Sequence, residues 1–238
     1  MVNLSACSLE EELPDNEFSL KLNLIQSIDL EVSEPSGLTL NEDKTALYTV
    51  SDPPDNRVYK LDLEGNVIKT LNYVGTDLEG ISFDGRDGTL WVVEESLYEI
   101  VHLDTNGVEL DRYVIDFTGV SGNGFEGITL MDGRFFVLNE AQPGTLLEID
   151  SLFQIVATET LSFAMDYSGI CLNDSTGELM VVSHKSQELF VLDSLQAVSK
   201  SASLDIDQAE GLDYDEGSNR LYIVSDSEEK LFVYEFIE

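Results

Sequence analysis

Three glutamates recur in the chain, each directly before a glycine: Glu79, Glu126 and Glu210. Ser36 and Ser168 precede a glycine in two further segments of the same kind. Carboxylates that point toward one axis repel one another, so they either take up protons or bind a cation. Oxygen ligands with no converging histidine or cysteine favour calcium over zinc or copper. We therefore expect a calcium site, the alternative being that each glutamate bonds to the backbone of a neighbouring repeat.

The glycines of these five pairs are spaced by 43, 47, 42 and 42 residues, which is the period of a β-propeller blade. Each repeat begins with a short apolar strand (strand A), such as 80–83, and continues through a polar turn into a nearly continuous apolar strand B, such as 90–93. Strand C ends in an acidic residue in every repeat, and strand D follows it in the first two. The repeated glycine predicts close packing of the blades near the axis, where a Cβ atom would collide.

The fifth repeat ends after strand C, whereas an unassigned strand pattern at 22–30 precedes the first repeat. Pairing this N-terminal segment with the last blade removes an open sheet edge. The predicted fold is therefore all-β: a five-bladed β-propeller of four-stranded antiparallel blades, closed by an N-terminal strand that completes the last blade. We assign 18–238 to the propeller and 1–17 to an N-terminal tail.

Strands A and B are antiparallel neighbours, so the start of A and the end of B lie at the same mouth of the channel. The residue two positions after strand B thus forms an outer ring around the glutamates. We predict His184 of this ring to be a rim residue and the neighbouring Ser183 to point to the opposite face of its strand. The predicted metal ligands are the seven carboxylates of both rings: Glu79, Glu126, Glu210, Glu95, Glu140, Asp226 and Asp52.

The chain has 12 lysines and arginines against 47 aspartates and glutamates, a formal net charge of −35. Such a surface repels phosphate backbones and anionic lipid, which excludes nucleic acid as a partner. A solvated surface adapted to salt is an alternative reason for the acidity. No apolar stretch is long enough for a membrane-spanning helix, so we expect membrane attachment only through an N-terminal or lipid anchor. We expect a monomer that binds a ligand or protein partner which the sequence does not identify.

The two cysteines have different settings. Cys171 lies within an apolar strand pattern and is predicted to be a core residue. Cys7 ends the run Leu-Ser-Ala-Cys, which resembles the lipobox of bacterial lipoproteins. Lipidation of Cys7 supposes a longer precursor, because no apolar signal segment precedes this run as written. The alternative is a disordered tail without an anchor.

Several motifs resemble the SdiA-regulated (YjiK-like) family of bacterial propellers. They are Ser-Gly-Leu-Thr-Leu at 36–40, Ser-Asp-Pro-Pro-Asp-Asn at 51–56, the segment 58–68 and Asp-Leu-Glu-Gly-Ile at 77–81. The similarity extends over 20–238. It implies an envelope protein, periplasmic or on the outer face and membrane-anchored, with no established reaction; a cytoplasmic location stays open. The acidic channel more distantly resembles the calcium sites of gluconolactonase-like propellers.

Two functions follow from these expectations. The first is a calcium-binding propeller that acts as a binding or scaffolding module of the cell envelope. The alternative is a calcium-dependent hydrolase, of the lactonase or phosphoesterase kind, with Glu95 or Glu140 as its general base. The sequence assigns no catalytic residue beyond these two candidates.

Overall fold

The computed structural model describes residues 19–118, 123–140, 143–195 and 197–237. Within these ranges the chain forms twenty β-strands and no helix. The strands in chain order are β1 Lys21–Asp29, β2 Pro35–Leu40, β3 Leu47–Ser51, β4 Arg57–Leu61, β5 Val67–Val74, β6 Leu78–Asp84, β7 Thr89–Glu94, β8 Glu99–Leu103, β9 Glu109–Val114, β10 Phe125–Met131, β11 Arg134–Asn139, β12 Gly144–Ile149, β13 Ile155–Leu161, β14 Gly169–Leu172, β15 Leu179–Ser183, β16 Glu188–Leu192, β17 Val198–Ser203, β18 Ala209–Asp215, β19 Arg220–Ser225 and β20 Lys230–Ile237.

These strands form five antiparallel sheets of four strands each. Four blades use consecutive strands, and the fifth has the order β1-β20-β19-β18. Strand β1 pairs with β20 from Lys21 opposite Ile237 to Asp29 opposite Lys230. The predicted five-bladed propeller and its closure by an N-terminal strand are therefore confirmed, and β18 of the last blade packs against β2 of the first.

Five apolar clusters fill the spaces between neighbouring blades, and each cluster contains residues of two adjacent blades. The B strands are buried along nearly their whole length, as in Leu47–Ser51 and Leu179–Ser183. This burial explains their continuous β-branched and aromatic sequences, because both faces of an inner strand contact another sheet. Cys171 lies in one of these clusters and is 4% exposed, as predicted.

The glycine of each repeated pair lies where the inner strands of adjacent blades approach one another. A Cβ atom on Gly80 would lie 2.5 Å from the carbonyl oxygen of Glu126, and one on Gly37 would lie 2.6 Å from that of Glu79. Gly211 is equally close to the carbonyl oxygen of Ser36 across the closure of the ring. The predicted reason for the glycine is thus confirmed: a side chain here would collide with the next blade's backbone.

Candidate site at the acidic mouth

The candidate site is the mouth of the channel at which the A strands begin and the B strands end. Each outer-ring residue follows a buried strand, and in three blades a backbone hydrogen bond holds it to the loop that leads into strand A. The amide of Asp52 donates to the carbonyl of Glu34 at 2.9 Å, and the amide of Glu95 donates to that of Asp77 at 2.8 Å. Asp226 makes the equivalent bond in the fifth blade. In the first, second and fifth blades the residue two positions before the inner-ring residue is therefore held against the outer ring.

Three carboxylates from the first two blades converge at this mouth. Asp52, Asp77 and Glu79 each offer one oxygen atom, and the three oxygens lie within 4.8 Å of one another. One oxygen of Asp52, Oδ1, is buried without a hydrogen-bond partner in the described part of the chain. Burial raises the pKa of Asp52 to about 6, and the negative charge of Asp77 adds to the effect. Burial, followed by the charge of Glu126, raises the pKa of Glu79 well above its ordinary value. Such a group gains from either a proton or a cation.

Two more glutamates extend this group toward the third blade. Burial, and then the charges of Glu95 and Glu140, raise the pKa of Glu126 well above its ordinary range. No hydrogen bond joins the carboxyl of Glu126 to another described residue. Burial also raises the pKa of Glu95 to about 7, although the backbone amide of Gly124 donates to its Oε1 at 2.9 Å. Both carboxyls are thus available to hold a proton or a ligand near neutral pH.

Glu94 holds the loop that presents Asp77. Its side chain is buried, with 1% exposure, and its Oε2 accepts hydrogen bonds from the amides of Thr76 at 2.8 Å and Asp77 at 3.0 Å. Its Oε1 accepts a hydrogen bond from the Tyr73 hydroxyl at 2.6 Å, and Arg112 donates to that hydroxyl. This buried carboxylate fixes the loop at the edge of the site, since removing it would leave two backbone amides unpaired.

The fourth blade brings positive charge to the mouth. His184 Nδ1 lies 3.0 Å from Asp166 Oδ2 and 3.4 Å from Glu210 Oε1. The hydrogen bond to Asp166, with the second one to Glu210, raises the pKa of His184 to about 10, so the ring is an imidazolium at neutral pH. Lys185 Nζ lies 2.8 Å from Glu140 Oε1. Glu140 and Glu210 are therefore paired with cations, whereas Asp52, Asp77 and Glu79 have no cationic partner among the described residues.

Ser168, His184 and Asp166 do not form a nucleophilic triad. In such a triad the histidine contacts the acid through one ring nitrogen and the serine through the other. Here Ser168 Oγ lies 3.1 Å from Nδ1, the same nitrogen that contacts Asp166. Ser183 donates its hydroxyl hydrogen to Asp166 and so is not activated by the imidazole. The cluster is an ion pair between His184 and Asp166, with a hydrogen bond from the Ser183 hydroxyl to Asp166 and a contact of the Ser168 hydroxyl with His184.

Of the seven predicted ligands, the structure places Asp52 and Glu79 together, with Glu126 and Glu95 in electrostatic contact with them. Glu140 and Glu210 face Lys185 and His184. Asp226 lies beside Glu210, and its Oδ1 is buried without a hydrogen-bond partner among the described residues. Cys7 lies outside the described residues.

Two sequence predictions about this mouth are wrong. A histidine does converge on the carboxylates, because His184 reaches Glu210. Ser183 and His184 do not face opposite ways, since both contact Asp166: β15 ends at Ser183, and the turn that follows abolishes the strand alternation. Asp77 and Asp166 were missed. They occupy the same position of the repeat, two residues before Glu79 and Ser168, so aligning the loops as well as the strands would have found them.

The chain is similar in sequence to one known family and in fold to several solved structures. The model of the family described as SdiA-regulated matches residues 10–236. No curated protein matches the chain in sequence. Among solved structures, a glutaminyl cyclase from Myxococcus xanthus is similar, with a TM-score of 0.72 and 12% identity over 94% of this chain and 100% of the other.

Two lyases are similar at a lower level. A streptogramin B lyase gives a TM-score of 0.55 at 12% identity, with 91% of this chain and 98% of the other covered. The virginiamycin B lyase from Staphylococcus aureus gives 0.55 at 12% identity, with 91% and 100% covered. At these identities the likeness concerns the fold alone.

Proposed function

Because the chain belongs to the SdiA-regulated family, for which the sequence motifs imply no reaction, we propose a function from the site itself: the protein is a propeller that binds a divalent cation, with calcium as the preferred ion. The observation that carries the proposal is that one oxygen each of Asp52, Asp77 and Glu79 lie within 4.8 Å of one another, while Asp52 Oδ1 is buried without a hydrogen-bond partner among the described residues. Each carboxylate is a hard oxygen ligand, and water completes the six or more ligands that calcium takes.

The charge distribution favours the group of Asp52, Asp77 and Glu79 as the cation site over the carboxylates of the fourth and fifth blades. Burial and mutual repulsion raise the pKa values of Asp52 and Glu79, so a bound cation would stabilise their ionised forms. In the fourth blade the imidazolium of His184 and the ammonium of Lys185 already neutralise Glu210 and Glu140. The cation therefore belongs with the first two blades, and Glu126 and Glu95 lie next to it.

Calcium titration by isothermal calorimetry tests the proposal. The chelator-treated protein should bind calcium, and Asp77→Asn and Glu79→Gln should each weaken binding about tenfold or more, as expected for loss of one charged ligand. Glu140→Gln is the matched control, because its carboxylate is paired with Lys185, and it should bind nearly as tightly as the wild type. No binding heat together with no change in melting temperature on chelation would contradict the proposal.

We place this cation-binding propeller at the cell envelope as a binding or scaffolding module. The support is the family resemblance and the lipobox-like run that ends at Cys7. Expression of the gene with its own upstream sequence in the presence of a radiolabelled fatty acid tests this placement. Label on the wild type and none on Cys7→Ser supports it, whereas an unlabelled wild type rejects the lipid anchor.

A second candidate is a hydrolase at the same mouth, such as a lactonase. It is favoured by Glu95, whose pKa near 7 suits a general base, and by Glu126, which has no hydrogen-bond partner among described residues and holds a proton readily. A bound divalent cation would supply positive charge for the developing oxyanion. Glu95 would take a proton from water as the water oxygen attacks the carbonyl carbon, and Glu126 would give its proton to the departing alkoxide. Glu140 is the weaker candidate base, since it is paired with Lys185.

Assays with lactone and phosphoester substrates separate the two functions. If the protein is a hydrolase, Glu95→Gln should lose most of its activity. Calcium binding should persist in this variant, because Glu95 is not one of the three converging carboxylates. Glu140→Gln should keep its activity. Absence of turnover with calcium bound supports the binding module.

A further inference from the structure

The far end of the channel contains a cavity that the acidic mouth does not use. It has a volume of about 610 Å³, within the range of small-molecule sites. Its floor is formed by apolar residues of the A strands and its rim by the A–B turns. Between it and the acidic mouth the channel holds only about 10 Å³, room for about one water molecule. The cavity is therefore separate from the candidate cation site.

A ring of side chains, one from each A strand, lines the inner part of this cavity. It occupies the position three residues after each inner-ring residue: Thr39, Ser82, Thr129, Cys171 and Asp213. Four of these are small, and only Asp213 carries an ionisable carboxyl group. All five are at most 9% exposed, so their polar atoms face the cavity or a neighbouring blade and not bulk water.

The hydroxyls of Ser82 and Thr129 are unpartnered. The two residues are 7% and 6% exposed, and no hydrogen bond joins either hydroxyl to another described residue. In the first blade the equivalent Thr39 is fully engaged, since its Oγ1 accepts from the amide of Phe83 at 3.1 Å and donates to Asp213 at 3.2 Å. These hydroxyls are not among the described buried polar atoms that lack a partner, so they are open to the cavity, where two of them on adjacent blades can bond a polar ligand.

Asp213 adds a negative charge to the same ring. Its Oδ2 accepts from the amide of Leu40 at 2.6 Å and from Thr39, and its Oδ1 accepts from the amide of Tyr214 at 2.7 Å. These bonds use three of about four acceptor positions of the carboxylate and bring no cation to it.

The two cations on the rim have other acidic partners, although the positive charge of Lys44 also acts on Asp213. Arg86 binds Asp84 through Nε at 2.8 Å and through a second nitrogen at 2.5 Å. Lys44 Nζ lies 4.0 Å from Asp174. Glu42 and Asp132 add further negative charge at the rim. The cavity thus has excess negative charge and open hydroxyls, and it excludes anionic ligands.

We propose that this cavity binds a small organic cation that carries hydroxyl groups, with its ammonium group at Asp213 and its hydroxyls at Ser82 and Thr129. The ammonium group would bring a positive charge into direct contact with the buried carboxylate, which Lys44 affects only without an ion pair. The ligand hydroxyls pair with the two open side chains, and the apolar floor contacts the carbon skeleton.

Calorimetry with three probes tests this proposal: glucosamine has the charge and the hydroxyls, N-acetylglucosamine has the hydroxyls alone, and ethylamine has the charge alone. Glucosamine should bind about tenfold or more tightly than either of the others, which is the effect of losing one charge-assisted contact. The titrations are made in the presence of a chelator. Binding here does not need the cation site, so its failure and that of the proposed function are distinguishable.

Two sets of variants locate the binding. Asp213→Asn should weaken glucosamine binding about tenfold, whereas Asp226→Asn, at the acidic mouth, should leave it unchanged. If Asp213→Asn does not fold, the double variant Ser82→Ala with Thr129→Val removes the hydroxyls from the other side of the ring and should weaken binding similarly. Equal binding of glucosamine and N-acetylglucosamine, no saturable binding of glucosamine, or full binding by the variants would overturn the proposal.

Discussion

His184 Nδ1 lies 3.4 Å from Glu210 Oε1, so an imidazolium from the fourth blade neutralises a glutamate of the fifth. The five repeats put a hydroxyl or a carboxyl at every inner-ring position, yet this contact divides the mouth into two unlike halves. In one half Asp166, Glu210 and Glu140 have cationic partners. In the other, Asp52, Asp77 and Glu79 converge without one among the described residues. The cations of the fourth blade, His184 and Lys185, therefore decide which carboxylates are left for a ligand.

The charge pair at His184 should make stability depend on pH in the alkaline range. The pKa of His184 is raised from 6.5 to about 10 in the folded protein. A raised histidine pKa stabilises the fold fully below the unfolded value of 6.5, and this contribution is lost as the pH rises through about 10. Urea unfolding at pH 6, 8 and 10 should therefore show a fall on the order of 2 to 4 kcal/mol in the free energy of unfolding.

His184→Gln is the control for this effect. The chain has two histidines, so NMR titration of the imidazole protons assigns His184 by the signal that the variant loses. An ionisation of His184 near 6.5 in the folded protein would reject the assigned charge pair, as would an unchanged alkaline slope in the variant.

Glu95 and Glu126, which have no cationic partner among the described residues, should change the stability of the fold over a lower pH range than His184 does. Burial raises the pKa of Glu95 from 4.5 to about 7 and that of Glu126 well above 4.5. Because the folded state holds these protons more tightly than the unfolded state, stability should fall as the pH rises from 4.5 through 7 when calcium is absent. Glu126→Gln, which retains a neutral group, should gain about 1 to 2 kcal/mol at pH 8 and nothing at pH 4.

The high net negative charge of the whole protein also makes the folded state more stable at lower pH, so the comparison needs a matched variant. Glu216 is exposed in the turn after β18, and Glu216→Gln removes the same charge far from the mouth. It should change the free energy of unfolding much less than Glu126→Gln does. Equal gains from both variants would attribute the effect to net charge and not to the mouth.

The sequence was sufficient for the architecture because the blade is repeated five times. The Glu-Gly and Ser-Gly pairs fixed the period, and Gly80 and Gly211 have the close backbone contacts that this reading required. Which charged side chains pair with one another could not be predicted from the sequence. Whether Glu210 faces a cation or another carboxylate depends on the loop that carries Asp166 and on the turn after Ser183, and loops do not follow the two-residue alternation of strands.

Glu94 should act on calcium binding through the loop that carries Asp77. In Glu94→Leu both acceptor oxygens are lost, so the amides of Thr76 and Asp77 and the Tyr73 hydroxyl lose their partner. We expect calcium affinity to fall about tenfold and the free energy of unfolding by about 1 to 3 kcal/mol.

Tyr73→Phe is the matched control, since it removes the hydroxyl bond and leaves both backbone bonds of Glu94 intact. It should lower stability with little effect on affinity, and hydrogen exchange at Thr76 and Asp77 should rise only in Glu94→Leu. An equal loss of affinity in both variants would show that Glu94 acts through the stability of the blade alone.

The repeated glycine should be intolerant of even a methyl group. In Gly211→Ala the new Cβ would lie 2.5 Å from the carbonyl oxygen of Ser36, which is backbone of the first blade and has little freedom to move. Since β18 and β2 meet here, the substitution should strain the closure of the ring and lower the free energy of unfolding by about 2 kcal/mol or more. Gly217→Ala is the control, because the nearest atom to its Cβ is the side-chain Oδ1 of Asp215 at 3.3 Å. Chemical denaturation should show a large loss for the first variant and a change within about 0.5 kcal/mol for the second; a similar stability for both would mean that the blades do not pack through this position.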